Sequence, residues 1–416
     1  MIGSPLPSGT ELPASARIRE LDALRGLAVA GIVLMNVFAF AMPSAAYYNP
    51  RAWGGEGPLD LALWASSFVL VEDKFRTLFA MMFGVGVLIL LGRPDRHRLR
   101  GHYARMAVLF ALGWLHATVL YSGDVLRLYA FAGLVLPLAV GWSVRRLWLG
   151  AAVLMALHLA IGGYVAFGWL EYWWRWANET GVDPRPMLPA EYAFGADPEA
   201  IRIGLERGGE GFGERIARRL ADPFGPLLAA LMFLPSTLAA MLAGMALWRG
   251  GLLAGAWPAR RAVPLGRTLA VIAVPVLAAL AAWDFAAGFN GVVVGANALL
   301  FSAPFDLALG IAWAALAMAL FGRAGAGSAW LGRLAATGRL ALTNYLATSV
   351  VLSAMYASWG LGLFGQTGRV ATYGAALVPI ALMLVWSPWW LARFRQGPAE
   401  WLWRSLAQGD ALPLRR

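Results

Sequence analysis

Apolar positions along this chain neither alternate nor recur on one helical face; they run on. Stretches of the about 17 to 25 residues that a helix needs to cross a bilayer core occupy roughly 24–43, 75–92, 103–121, 125–142, 147–168, 224–248, 267–287, 296–321, 340–359 and 372–392. A shorter run at 59–71 is too short to cross comfortably and reads as interfacial or re-entrant. The pattern predicts an all-α polytopic membrane protein of about ten transmembrane helices, eleven if 59–71 crosses. The first run follows Arg17, Arg19 and Arg25 and contains Ala39-Phe40-Ala41, as a cleavable leader would. Glu20 and Asp22 spoil its basic lead-in, and the runs that follow favour a retained helix.

These runs divide the chain into an amino-terminal tail (1–23), a five-helix half (24–168), a long loop (169–223), a second five-helix half (224–392) and a carboxy-terminal tail (393–416). Trp173, Trp174 and Trp176 open the loop as an interfacial belt, and Pro184, Pro186 and Pro189 follow. The mixed-charge stretch from Glu199 to Arg219 predicts a surface helix. A structureless loop this long is uncommon unless it is functional or a lid.

Composition sharpens the class. Of 416 residues, 60% are hydrophobic and 14% charged, against about half and a quarter in soluble domains. This excludes a disordered chain and disfavours an ordinary soluble enzyme. Twenty tryptophans suit many membrane–water interfaces. The absence of cysteine excludes disulfides, thiolate metal ligands and Cys nucleophiles. The net charge of +11 is decided by its distribution. With ten spans and both termini cytoplasmic, the inner segments are strongly basic and the outer ones slightly acidic, as the positive-inside rule requires. The turn from Arg93 to Arg105 alone holds five arginines. The charge therefore reads as a topology signal and a contact with anionic lipid, not as a nucleic-acid footprint.

Ionisable groups inside a bilayer are costly unless paired or hydrated, so each is a candidate site. Asp22 and Arg25 lie one turn apart at the inner end of the first span, and Arg25 shares a face with Asn36 about 16 Å further along the axis. Gly26 and Gly31 would let a neighbouring helix approach closely. Glu72, Asp73, Lys74 and Arg76 open the second span, and Lys74 is the sole lysine. His116 ends the third span, and Asp124, beyond Gly123, is placed to fold back and orient it. Imidazole is the side chain best suited to general acid–base work near neutral pH. Of the other histidines, His97 and His102 read as solvated in the basic turn and His158 as a satisfied structural residue. Asp284 and Asn290 fall near the outer surface, Asn297 and Asp306 deeper, and Asp306 needs a partner. No metal-ligand cluster, phosphate loop or nucleotide fingerprint is present.

Several ordered motifs resemble those of the YeiB-like bacterial membrane proteins. They are Leu21-Asp22-Ala23-Leu24-Arg25-Gly26-Leu27-Ala28 with Gly31-Ile32 and Asn36; Lys74-Phe75-Arg76 with Phe83-Gly84-Val85-Gly86; and Gly113, His116, Gly123-Asp124-Val125-Leu126, Tyr129-Ala130 and Gly133. Gly338-Arg339-Leu340-Ala341-Leu342-Thr343-Asn344-Tyr345, Gly360 to Gly365 and Gly397-Pro398-Ala399-Glu400-Trp401 resemble that family's terminal domain of unknown function. The opening motif is also similar to that of transmembrane acyltransferases of the heparan-glucosaminide acetyltransferase type. This implies an acyl group moved from a cytoplasmic acyl-CoA co-substrate to an external or lipid-linked acceptor. The resemblance also implies a place in the inner (plasma) membrane, and no bound cofactor is expected. Arg25 matches the arginine of those enzymes' first span. Asn36 stands where the glycan branch has its histidine, and residues 43–74 contain none, so His116 on another span is left to supply that chemistry.

Two function classes follow. In an acyltransferase, Arg25 would bind the donor, His116 oriented by Asp124 would deprotonate the acceptor, and Asn36 would stabilise the oxyanion; Lys74, with Asp22, Asp284 and Asp306, would line the substrate sites. In a secondary transporter or flippase, Asp22, Arg25, His116, Asp284 and Asp306 would line a path.

Overall fold

The computed structural model describes residues 19–92, 96–325 and 327–416. The expected tail up to residue 18, and Arg93 of the basic turn, lie outside them. The described chain is helical: α1 (Arg19–Ala41), α2 (Pro58–Leu70), α3 (Lys74–Leu91), α4 (Arg96–Val119), α5 (Leu126–Val135), α6 (Val144–Asn178), α7 (Leu188–Phe194), α8 (Pro198–Gly209), α9 (Phe212–Ala221), α10 (Gly225–Leu231), α11 (Leu234–Arg249), α12 (Ala259–Ala286), α13 (Gly291–Ala296), α14 (Ala303–Arg323), α15 (Ala329–Arg339), α16 (Ala341–Tyr356), α17 (Arg369–Leu391) and α18 (Pro398–Gln408).

Six stretches are long and apolar enough to cross a membrane: α1, α2 with α3 as Pro58–Leu91, α6, α12, α14 and α17. A seventh arises if α10 and α11, bent by 51°, form one broken crossing. The run at 59–71 is thus continuous with the next across a turn in which Asp73 takes a left-handed conformation (φ 56°). The other expected spans fall on shorter or more polar elements. The 103–121 run lies on α4, whose first turns carry Arg98, Arg100 and His102. The 125–142 run is α5 followed by a short turn, Leu136–Ala139. The 340–359 run is the 16-residue α16, which includes Thr343, Asn344, Thr348, Ser349 and Ser353.

Burial separates the helices into two kinds. In α1, α2–α3 and α14 most of the apolar window is buried. In α6, α12 and α17 less than a third of it is buried, and Val153, Leu157, Tyr164, Val271, Leu377, Leu382 and Val385 stand exposed. Apolar belts of this extent are not tolerated by water; they are what hydrocarbon covers. The protein is therefore a polytopic helical membrane protein.

The main core joins α1, α3, α4, α5, α6, α11, α14 and α15, so helices from both halves share it. Small residues set its tightest crossings. A methyl group on Gly338 of α15 would overlap the Asp22 carbonyl oxygen of α1, and one on Gly26 would overlap that of Leu334. Gly84 of α3 and Gly244 of α11 stand in the same relation to Met241 and Met81. The ring of Phe75 fills the space over Gly31.

Two expectations about the loop are corrected. Its first residues continue α6 to Asn178, so the tryptophans ride on a helix. The stretch from Glu199 to Arg219 is two helices, α8 and α9, because the run Gly208-Gly209-Glu210-Gly211 interrupts it; the Glu214 carboxylate caps α9 by accepting from Gly211 N at 2.9 Å. The carboxy-terminal segment also folds back. The indole of Trp403 donates to Arg105 O at 2.7 Å, and Glu400 accepts from Leu342 N at 2.8 Å and Thr343 N at 3.2 Å, capping α16.

Candidate functional site

A cavity of about 540 Å³ opens between the carboxy-terminal half of α1, the turn at 121–125 and the loop helices. Met35, Asn36, Ala39 and Phe40 form one wall, Asp73 and Arg76 lie deep in it, Tyr121 to Asp124 form a second wall, and Arg207, Arg215, Arg218 and Arg219 bear on it from α8 and α9.

His116 and Asp124 meet behind the second wall. His116 Nδ1 lies 2.8 Å from Asp124 Oδ1. The other carboxylate oxygen accepts from Arg127 N at 3.0 Å, and the Tyr345 hydroxyl of α16 donates to Oδ1 at 3.3 Å. This network fixes the ring and leaves its Nε2 shielded from solvent without a hydrogen-bond partner. A ring nitrogen held by a carboxylate leaves the opposite nitrogen as the basic one. Tyr121, which lines the cavity, packs against the His116 ring at 6.3 Å between centroids, and Tyr345 at 5.2 Å. The side chain of Tyr121 in turn stacks on Phe40 of α1.

The remaining sequence candidates divide. Asn36 lines the cavity. Asp22 and Arg25 pair at 3.1 Å at the amino-terminal end of α1, as the spacing predicts. Asp306 finds its partner in Lys74, at 2.7 Å, with both side chains almost fully buried; the ammonium also donates to Phe68 O. Asp73 pairs with Arg76 at 2.7 Å. A void of about 20 Å³ lined by Asp73, Arg76, His158 and Asp306 lies next to the cavity and shares its Asp73, Arg76 and Phe233 walls. Asp284 is buried away from the cavity and accepts from the Asn297 side chain at 2.8 Å. That contact depends on a π-helical segment, Asn297–Phe301. Asn290 caps α13 and donates to Glu191 of α7. His158 bonds to Leu299 O at 3.0 Å, the structural role expected of it. His97 is exposed. His102 is not solvated: it is 1% exposed and bonds to Gly133 O at 2.7 Å, because α4 turns that face onto α5.

Sequence reasoning did not single out the four cavity arginines, Tyr345 or Arg369. Positions 215, 218 and 219 share one helical face, a signal visible once α9 is recognised as a separate helix. Arg369 is buried beneath the first span, where it donates to Ala46 O and lies 4.9 Å from the centre of the Phe38 ring. Nothing local marks it, since its partners lie more than three hundred residues away.

Fold and site together define a polytopic helical membrane protein with a lidded cavity beside a buried histidine–aspartate pair. The family model "Protein of unknown function (DUF418)" matches residues 247–410. "Uncharacterized protein YeiB" of Escherichia coli (strain K12) is 32% identical over 94% of this chain and 97% of its own length. "Uncharacterized protein YxaH" of Bacillus subtilis (strain 168) is 25% identical over 94% of each. An "Uncharacterized 39.9 kDa protein in amylase 3'region" of Bacillus acidopullulyticus is 29% identical over 29% of this chain and 33% of its own. The chain belongs to the YeiB-type DUF418 family. No solved structure matches it.

Proposed function

We propose that this protein is a transmembrane acyltransferase of the inner (plasma) membrane, crossing about ten times with both termini cytoplasmic. The observation that carries the reading is the His116–Asp124 pair: Asp124 lines a cavity large enough for a substrate, and His116 Nε2, buried behind that wall, is left without a partner. In this reading His116 takes the proton of an acceptor hydroxyl or amine. The freed oxygen or nitrogen attacks the thioester carbonyl of an acyl-CoA, and Asn36 donates to the oxyanion. The C–S bond then breaks and the departing thiolate recovers the proton from His116. Arg25, braced by Asp22, receives the donor's phosphates from the cytoplasmic end, where the arginine-rich surface also meets anionic lipid.

A second reading, a proton-coupled transporter, is favoured by one observation: charged pairs continue inward from the cavity, from Asp73–Arg76 to Lys74–Asp306. One experiment addresses both. The purified protein in proteoliposomes is supplied with radiolabelled acyl-CoA outside or inside, and both acyl transfer to lipid or sugar acceptors and solute flux are followed. The expected result is transfer that His116→Asn lowers by about 10²- to 10⁴-fold, the range for loss of a general base. Undiminished transfer in His116→Asn overturns the catalytic assignment. Flux lost in Asp306→Asn, with no transfer by the parent protein, replaces the first reading with the second.

A further inference from the structure

The cavity is chemically two-sided. Its α1 side is apolar, with Met35, Ala39, Phe40 and Met42, and its lid side is cationic. Arg215, Arg218 and Arg219 project from one face of α9, and Arg207 stands exposed on α8. Among the described residues only Arg218 of these four meets a carboxylate within ion-pair distance, Glu210 at 2.6 Å. Arg219 instead donates to the backbone oxygens of Thr118 (3.1 Å) and Leu120 (3.4 Å), at the end of α4. Arg215 donates to Gly208 O at 3.3 Å. The Nε atoms of both are shielded from solvent and have no partner.

The acids on the cavity wall do not balance this charge. Asp73 is committed to Arg76 and Asp124 to His116 and Arg127. Backbone oxygens satisfy guanidinium donors but carry no counter-charge, and a half-buried cation without one is destabilised. The pKa of Arg219 follows this balance: burial, then the neighbouring Arg215 and Arg218, lower it to about 10, outweighing the opposite pull of the Glu210 carboxylate. An anion brought into the cavity would reverse that cost. Guanidinium forks match phosphate oxygens in geometry as well as charge.

We propose that the cavity binds a phosphate-bearing anion between the arginines of α8 and α9 and the apolar wall of α1. The inference rests on reading this cavity as the functional site and names the chemical class of what enters it. Such a phosphate belongs either to an amphiphile, whose chain lies against Phe40 and Met35, or to a soluble molecule. The geometry is the same for both.

The test is ligand binding to the full-length protein in a neutral maltoside detergent, followed by thermal unfolding and intrinsic tryptophan fluorescence. The probes are dodecyl phosphate, inorganic phosphate and, as the charge-reversed control, dodecyltrimethylammonium. Saturable binding of at least one phosphate probe and none of the cationic amphiphile is expected. Dodecyl phosphate that inorganic phosphate fails to displace identifies an amphiphile; saturable inorganic phosphate identifies a soluble ligand. The R215Q/R219Q protein should bind at least tenfold more weakly. R207Q, at an exposed position that leaves the lid packing intact, should bind severalfold more weakly, and R202Q, whose arginine pairs with Glu199 outside the cavity, should bind as the parent does. Binding of neither phosphate probe, or equal affinity in R207Q, R215Q/R219Q and the parent, overturns the proposal. H116N should keep this affinity. If it also keeps full acyl transfer, the catalytic reading fails and the anion site stands.

Discussion

Glu400 shows how one side chain can tie the family's terminal motifs together. Its carboxylate accepts two backbone N–H groups at the start of α16 and the Thr343 hydroxyl, while Thr343 Oγ1 accepts from Ala399 N at 3.0 Å. Capping of this kind is worth about 1 kcal/mol. Desolvation raises the Glu400 pKa above its usual 4.5, more than these hydrogen bonds lower it. The folded state therefore holds the proton more tightly than the unfolded chain does. The stability linked to it is present below pH 4.5 and is lost as pH rises through the raised native value. The dependence cannot exceed about 1.4 kcal/mol per pH unit for one group. Glu400→Gln should flatten the thermal-unfolding profile above pH 4.5; a slope equal to that of the parent would remove Glu400 as its cause. The two halves of this cap were readable in the sequence as motifs, but not as partners, because fifty-seven residues and α17 separate them. By contrast, His116 and Asp124 could be paired from sequence since only one turn intervenes. Tyr345, 221 residues from Asp124, carries no local signal that it completes that network.

The helices follow from apolar length; their pairings follow from small residues. Glycine lets two backbones approach until carbonyl oxygens lie where a side chain would be. Gly26 and Gly31 announced this role in the sequence, and Gly84 sits in an equally suggestive run. Which helix answers each was not legible: Gly26 meets α15, and Gly84 meets α11, from the other half of the chain. The polar residues of α16 likewise obscured its length, because Asn344 is a core side chain that donates to Thr337 O at 2.9 Å and accepts from the Trp386 indole at 2.8 Å. The contact at Gly338 gives an element-scale prediction. Gly338→Ala pushes its methyl group against the backbone of Asp22, so α1 and α15 must separate. Overpacking at such a site costs about 1–3 kcal/mol. Gly163→Ala in α6 adds a methyl into open space, where helix propensity alone favours alanine by up to about 1 kcal/mol. Thermal unfolding in detergent should therefore move downward for Gly338→Ala and not for Gly163→Ala. Equal midpoints for the two variants would mean that the α1–α15 crossing is not close-packed.

At the scale of the molecule, the buried interior and the exposed belts specify a membrane protein, while the orientation proposed for it comes from charge. The exposed faces of α6, α12 and α17 show which helices meet lipid, a distinction invisible to a sequence scan in which every apolar run looks alike. Orientation rests on the arginines near the start of α4 and on the mixed charge of the loop, following the positive-inside rule. It decides the chemistry, because it determines whether the cavity and its arginine lid face the outside, opposite the acyl-CoA pool. The chain has no cysteine, so single cysteines can be introduced without a background to remove. Glu206 on α8 and Gln408 at the end of α18 are both exposed and belong to opposite ends of the proposed topology. In intact cells or right-side-out vesicles, Glu206→Cys should react with a membrane-impermeant maleimide. Gln408→Cys should react only after permeabilisation. The reverse pattern would place the lid in the cytoplasm and the Asp22–Arg25 end outside, and transfer to an external acceptor would then be impossible from this cavity. Labelling of both sites in intact cells would require an even number of crossings between them, where the ten-span topology has five. That result would discard the ten-span count in favour of seven, in which the bent pair α10–α11 is one crossing and four crossings, with α12, α14 and α17, follow the lid.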